Sequence, residues 1–180
     1  MLDLSFPGNL PSTVDVGGLF FPVKTDFRTW LKFAEEIKTG FVNIKNYYLQ
    51  LPKDLTDAVK GLIDFYNPPR ELPRKVDGKK SDIVLDYKTD GALLYSAFME
   101  QYHINLLDPK LDLHWHEFLA LVEGLHDTML NKIMEYRSYD ETDKTKYEEQ
   151  MKRNKEMWKL PQPEDKETKK ALGEFNALFE

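Results

Sequence analysis

The sequence predicts a mainly α-helical domain with a small N-terminal β-hairpin. From Asp112 to Arg137 it reads DLHWHEFLALVEGLHDTMLNKIMEYR, where Trp115, Phe118, Leu121, Val122 and Leu125 recur at helical spacing and share one face. Similar apolar stripes surround Trp30, Leu62 and Phe98. Two-residue alternation, the mark of a strand, is confined to residues 12–24.

In chain order, Val14 and Val16 alternate before Gly17-Gly18, and Leu19, Phe21 and Val23 alternate after it, as a hairpin with a two-residue glycine turn requires. Pro22 cannot donate a ladder hydrogen bond, so that stretch belongs on an edge. A lone hairpin is marginal in water and must lean on helices or on a partner strand. Thr25 or Asp26 caps a helix with Phe27, Trp30, Leu31, Ala34 and Ile37 inward, closed by Gly40. Phe41 to Tyr48 has no consistent period. Pro52 suits the first turn of a helix whose stripe is Leu55, Ala58, Val59, Leu62, Ile63 and Tyr66, ended by Pro68-Pro69.

Residues 70–82 are basic and lack a period, as expected of an internal linker or loop. Asp90 then caps a helix carrying Leu94, Ala97, Phe98 and Tyr102. After Pro109, Asp112 is the expected N-cap of the next helix, and Gly124 stands where a left-handed stop belongs, with Leu125 folding back onto Leu119 or Ala120. Asp127 or Thr128 caps a further helix with Met129, Leu130, Ile133, Met134 and Tyr136. Residues 143–159 form a charged helix in which Glu148–Lys152 and Glu149–Arg153 are favourable pairs and only Tyr147, Met151 and Trp158 make an apolar stripe. Residues 162–180 add an amphipathic C-terminal helix with Leu172, Phe175, Leu178 and Phe179. Residues 1–180 are read as one domain, which at this length buries about 70% of its unfolded surface.

Composition removes several function classes. The charged fraction is 31% and the net charge −6, so anionic nucleic acid and membrane surfaces do not attract the chain as a whole. The basic run Arg70, Arg74, Lys75, Lys79 and Lys80 reads as a solvated loop. Without cysteine there are no disulfides, thiolate zinc sites or cysteine nucleophiles. No apolar run approaches the ~20 residues that span a bilayer, and MLDLSFPGNL lacks the features of a secretory signal, so a cytoplasmic location is expected.

His114, His116 and Glu117, with His103 and His126 nearby, are the one cluster that suggests a metal. On a helix the two imidazoles of His-x-His diverge, and a catalytic zinc needs three converging ligands plus an open position. No metal and no cofactor are therefore expected, and His114 and His116 should flank Trp115 as half-exposed polar residues. No phosphate-binding glycine loop and no Gly-x-Ser-x-Gly occur, so an enzyme is not expected. Trp115, Phe118, Leu121, Gly124 and Leu125 are read as motif core. Arg137 should satisfy the carbonyls at the end of its own helix or meet a carboxylate. Tyr147, Met151 and Trp158 either dock their helix onto the domain or grip a partner helix, with the tryptophan as anchor.

Leu113-His114-Trp115, then Phe118, Ala120-Leu121, Gly124-Leu125, Thr128, Ile133 and Tyr136-Arg137 resemble a family of small bacteriophage proteins encoded in the tail module beside the tape-measure gene. Asp86-Tyr87, Tyr95, Phe98, Tyr102, Ile104 and Leu106 fit the family's preceding helix, and Trp158-Lys159-Leu160-Pro161 its tail. Thr13-Val14-Asp15-Val16, Gly17-Gly18 and Thr25-Asp26-Phe27-Arg28 look like its opening. The likeness covers roughly residues 12–161 and is best over 86–161, with 86–137 the most specific part. His116 stands where the family often has a second aromatic, and Pro163–Glu180 extends past the match. The resemblance implies a tail assembly chaperone of the host cytoplasm, with the tape-measure protein and tail tube subunits as partners and homo-oligomer formation open. Alternatives are a structural tail or neck component of the virion, an enzyme using the histidines, and interference with the host.

Overall fold

The computed structural model describes residues 10–53, 55–68, 84–140 and 146–161. Their elements are two strands, β1 (Thr13–Val16) and β2 (Leu19–Pro22), and six α-helices: α1 (Phe27–Thr39), α2 (Leu55–Tyr66), α3 (Gly91–Tyr102), α4 (Trp115–Gly124), α5 (Met129–Ser138) and α6 (Glu148–Met157). A single 3₁₀ turn, Ile44–Asn46, lies between α1 and α2. The architecture is thus mainly helical with one antiparallel hairpin. The basic loop at 70–82 and the segment 162–180 lie outside the described residues. Contacts divide the chain into two compact units, with the boundary inside α5 between Lys132 and Ile133.

The first unit holds the hairpin, α1 to α4 and the start of α5. Gly17 and Gly18 have φ of 62° and 83°, the left-handed pair that a two-residue hairpin turn demands. The Asp15 carboxylate steadies the turn by accepting from Gly18 N at 2.7 Å. Val14, Val16 and Val23 are buried, but Leu19 is 65% exposed, contrary to the expected alternation; Phe20, on the opposite face of the strand, is 73% exposed. The reason is that α2 packs on β1, the other strand. Gly61 permits that approach: a Cβ there would stand 3.0 Å from Asp15 O and 3.3 Å from Val14 Cγ2. On the far edge of the hairpin, Lys24 N donates to Tyr47 O at 2.8 Å and Leu49 N to Pro22 O at 2.9 Å. Pro22 has no N–H to return, so the ladder ends there.

Asp26 caps α1 by accepting from Arg28 N at 2.9 Å, and Gly40 ends it at φ 73°. The inward face of α1 is Phe27, Trp30, Phe33 and Ala34; Ile37, expected inside, is exposed. Pro52 precedes α2 rather than opening its first turn, and the buried face of α2 is Ala58, Gly61, Leu62 and Phe65. Leu55 and Ile63 of the expected stripe are exposed, because the face centred on Gly61 is the one that meets β1. Asp90 occupies the N-cap position of α3 but makes no side-chain cap bond; its carboxylate accepts from Asp86 N at 2.9 Å. His103 ends α3 in the left-handed region at φ 56°, a stop that no glycine announces.

Aromatic rings fill the centre of this unit. Trp30 stacks on Phe65 at 4.6 Å between centroids, and Trp115 stacks on Tyr66 at 5.2 Å and on Phe118 at 5.6 Å. Phe118 continues the stack to Phe27 at 5.0 Å and Phe98 at 5.5 Å. Offset stacking of this kind adds ~1 kcal/mol per pair beyond the area removed from water.

The second unit contains Val84, the rest of α5 and α6. Among the described residues, no helix is long and apolar enough to cross a membrane.

Candidate functional site

The segment Leu113–His116 is where the first unit is fastened together. Phe27 N donates to Leu113 O at 3.0 Å and Trp115 N to Thr25 O at 2.7 Å, so the chain entering α4 pairs with the chain entering α1. Because Trp115 N is committed to Thr25, α4 starts at Trp115 and its N-cap is His114. Asp112, the expected cap, lies too early and is exposed. His114 is an uncommon cap. Its Nδ1 accepts from His116 N at 3.0 Å, while Glu117 Oε2 accepts from His114 N at 3.1 Å, completing a capping box.

Three successive rings then hold three backbone carbonyls. His114 Nε2 lies 2.9 Å from Pro11 O, Trp115 Nε1 donates to Tyr66 O at 3.0 Å, and His116 Nε2 lies 2.9 Å from Phe65 O. His116 is buried, not half-exposed as expected; it takes the place of a core aromatic, with its ring 4.6 Å from that of Phe65. Burial pushes its imidazole below the ordinary histidine value, the Phe65 carbonyl acting against that shift and His114 reinforcing it.

The loop that delivers Leu113 is organised by Arg28, a residue whose role sequence reasoning did not reach. Its Nη1 donates to Leu111 O at 3.2 Å, and its Nη2 to Leu106 O at 3.2 Å and Asp108 O at 2.7 Å. His103 ends α3, and the exposed His126 lies 3.0 Å from Gln101 Nε2 and 3.1 Å from Gly124 O. Among the described residues no cluster of His, Asp and Glu could hold a metal ion.

The other motif residues separate by role. Trp115 and Phe118 are fully buried and Leu125 is buried, while Leu121 is half-buried. Gly124 is the last residue of α4 and does not adopt positive φ; Leu125, in extended conformation, follows it. The glycine is there for space, because a Cβ would stand 2.7 Å from the Tyr102 hydroxyl. That hydroxyl donates to Leu121 O at 2.8 Å, tying α3 to α4. Thr128, not Asp127, opens α5, exchanging bonds with Asn131: Thr128 N donates to Asn131 Oδ1 at 3.2 Å and Asn131 N to Thr128 Oγ1 at 3.4 Å.

In the second unit, Arg137 is buried and reaches other segments. Nε donates to Trp158 O at 2.6 Å and Nη1 to Val84 O at 3.0 Å. Lys155 Nζ adds a bond to Tyr139 O at 2.8 Å, and Glu148 pairs with Lys152 along α6. α6 itself buries no residue. Tyr147 is 62% and Met157 67% exposed, whereas Met151 and Trp158 are half-buried. The structure therefore brings Arg137 to Trp158 and leaves Tyr147 outward. Met157, absent from the expected stripe, is the more open side chain; its position beside Trp158 was the available signal.

No curated protein and no solved structure matches the chain. A protein family described as "Bacteriophage Gp15 protein" matches residues 6–160, and the chain belongs to that bacteriophage family.

Proposed function

We propose that this bacteriophage protein is a tail assembly chaperone that binds the tape-measure protein and keeps it soluble until tail tube subunits replace it. The observation that carries the reading is α6. It buries none of its residues, is held at its C-terminal end by Arg137, and leaves Tyr147 and Met157 open to solvent. A charged helix that exposes a tyrosine and a methionine fits an apolar helical partner, since methionine adapts to irregular surfaces and tyrosine supplies an amphipathic face. A tape measure is a long apolar helical chain, and uncovered stripes of that kind aggregate. Many copies of a small acidic protein, each bound weakly through such a helix, cover it by avidity and are still displaced one at a time.

The reading involves no bond-making step, no cofactor, no nucleic acid and no membrane, and sets the work in the cytoplasm of the infected bacterium. Co-expression with the neighbouring tape-measure gene is the test. Soluble tape-measure protein should rise with this chain present and fall back with Tyr147→Ser and Met157→Ser together; equal yield with and without the chain sinks the proposal. Mass spectrometry of purified particles separates it from a structural tail or neck component, which stays in the virion at stoichiometric amounts.

A further inference from the structure

We propose that His114 is a proton-operated latch: when its imidazole takes up one proton, the cap of α4 and the anchor of the chain leading into β1 are released together. The donors and acceptors around the ring leave one arrangement. Nδ1 faces a backbone N–H, that of His116 at 3.0 Å, and must accept. Nε2 faces the Pro11 carbonyl at 2.9 Å, which has no hydrogen to give, so Nε2 carries the N–H. The ring is therefore neutral, in its Nε2–H form. An imidazolium carries hydrogen on both nitrogens, and Nδ1–H would then point at the N–H of His116. Turning the ring out of that position strips His116 N of its cap and draws Nε2 away from Pro11 O.

Among the described residues, the carboxylates of Glu117 and Asp26 already accept other hydrogen bonds. From α4, the Glu117 carboxylate is engaged with the His114 backbone N–H at 3.1 Å. Across the bridge to the start of α1, the Asp26 carboxylate is held by Arg28 at 3.2 Å. From α2 the neighbour is the uncharged Phe65 ring, 6.0 Å away between centroids. His116, edge-on at 5.2 Å, keeps its own Nε2 on Phe65 O. The mobile consequence falls on the lead-in strand: Pro11 adjoins Ser12, whose carbonyl accepts Val23 N at 2.9 Å, so the latch closes the open end of the hairpin.

The test uses the full chain. Nitrogen-15 NMR of the imidazoles at about pH 8 should show His114 as the Nε2–H tautomer, and acidification to about pH 5 spans the range in which histidines take up protons. Over that range the His116 amide should lose protection from hydrogen exchange by roughly tenfold after correction for intrinsic rates, in line with a lost N-cap. His114→Asn keeps a capping acceptor but binds no proton, so its His116 amide should stay protected at both pH values. An Nδ1–H tautomer in the wild type, or equal loss of protection in wild type and His114→Asn, overturns the proposal. His116→Gln removes the second histidine, and protection that no longer responds to acid in that variant also overturns it, by assigning the proton to His116.

Discussion

The Tyr102 hydroxyl stands 2.7 Å from the point a Cβ on Gly124 would occupy, while donating to Leu121 O at 2.8 Å. Gly124→Ala therefore pushes against a side chain already used to join α3 and α4. Overpacking of this type costs about 1–3 kcal/mol, and the better helix propensity of alanine returns about 1 kcal/mol. A net loss of about 1 kcal/mol is expected by urea denaturation. With Tyr102→Phe in the background the obstruction disappears, and the same alanine should be neutral or stabilising. If Gly124→Ala costs the same in both backgrounds, steric crowding is not the reason for the glycine.

Trp115 joins the aromatic stack to Tyr66 O through its indole N–H, at 3.0 Å. Trp115→Phe keeps a ring in the stack but leaves that carbonyl without its donor and a void beside it, which costs about 1–3 kcal/mol. Trp115→Ala removes the ring as well and should cost about 3–5 kcal/mol. Calorimetry of both variants separates the hydrogen bond from the packing. Equal losses would mean that the ring kept in Trp115→Phe adds nothing to stability.

Asp86 sits in the turn before α3, its Oδ1 accepting from Lys88 N at 3.1 Å and Thr89 N at 2.8 Å while its Oδ2 meets Lys38 Nζ. Burial raises the carboxyl, but the Lys38 and Thr89 hydrogen bonds and the Lys38 charge outweigh it and hold the group at about 2, below its ordinary 3.8. A depressed carboxylate favours the folded state at every pH above the unfolded value, and that contribution disappears as pH falls from 3.8 through about 2. Asp86→Asn retains an acceptor for the turn and cannot titrate. Its urea midpoint should lie below the wild type at neutral pH and converge with it in strong acid. A gap that stays constant with pH would remove the ion pair from the account.

Local signals were legible in the sequence and long-range ones were not. The Gly17-Gly18 turn, the Asp26 cap and the Gly40 stop depend on neighbours a few residues away, so the pattern contains their causes. Gly124 reads as a left-handed stop because a glycine that ends a helix and a glycine that makes room look alike along the chain; Tyr102, on another helix, distinguishes them. The buried face of α2 differs for a similar reason: β1 selects Gly61, and Trp30 and His116 meet Phe65, while a stripe of larger residues draws attention elsewhere. His116 was expected half-exposed because histidine usually is, yet the Phe65 carbonyl gives its ring N–H a partner inside. Arg137 stands out by resemblance, but the Trp158 and Val84 carbonyls it holds come from segments distant in sequence.

Arg137 ties stability to the proposed function. Its guanidinium holds Trp158 O at 2.6 Å and Val84 O at 3.0 Å, and it is buried, so removing it leaves carbonyls without their charged donor. Arg137→Gln should cost about 2–4 kcal/mol, at roughly 1.5–3 kcal/mol per hydrogen bond to a charged group less partial replacement by the amide. Arg137→Lys keeps the charge but not the fork, and one ammonium does not reproduce both bonds with their geometry. Hydrogen exchange should accelerate along α6 in both variants, because that helix buries no residue of its own and Arg137 holds the residue that ends it. If the chaperone reading holds, soluble tape-measure yield falls in Arg137→Lys although Tyr147 and Met157 are intact, since binding then carries the added cost of ordering α6. Faster exchange in α6 with unchanged yield would instead separate the helix from partner binding and move the search for the grip to the exposed Leu19 and Phe20 of the hairpin.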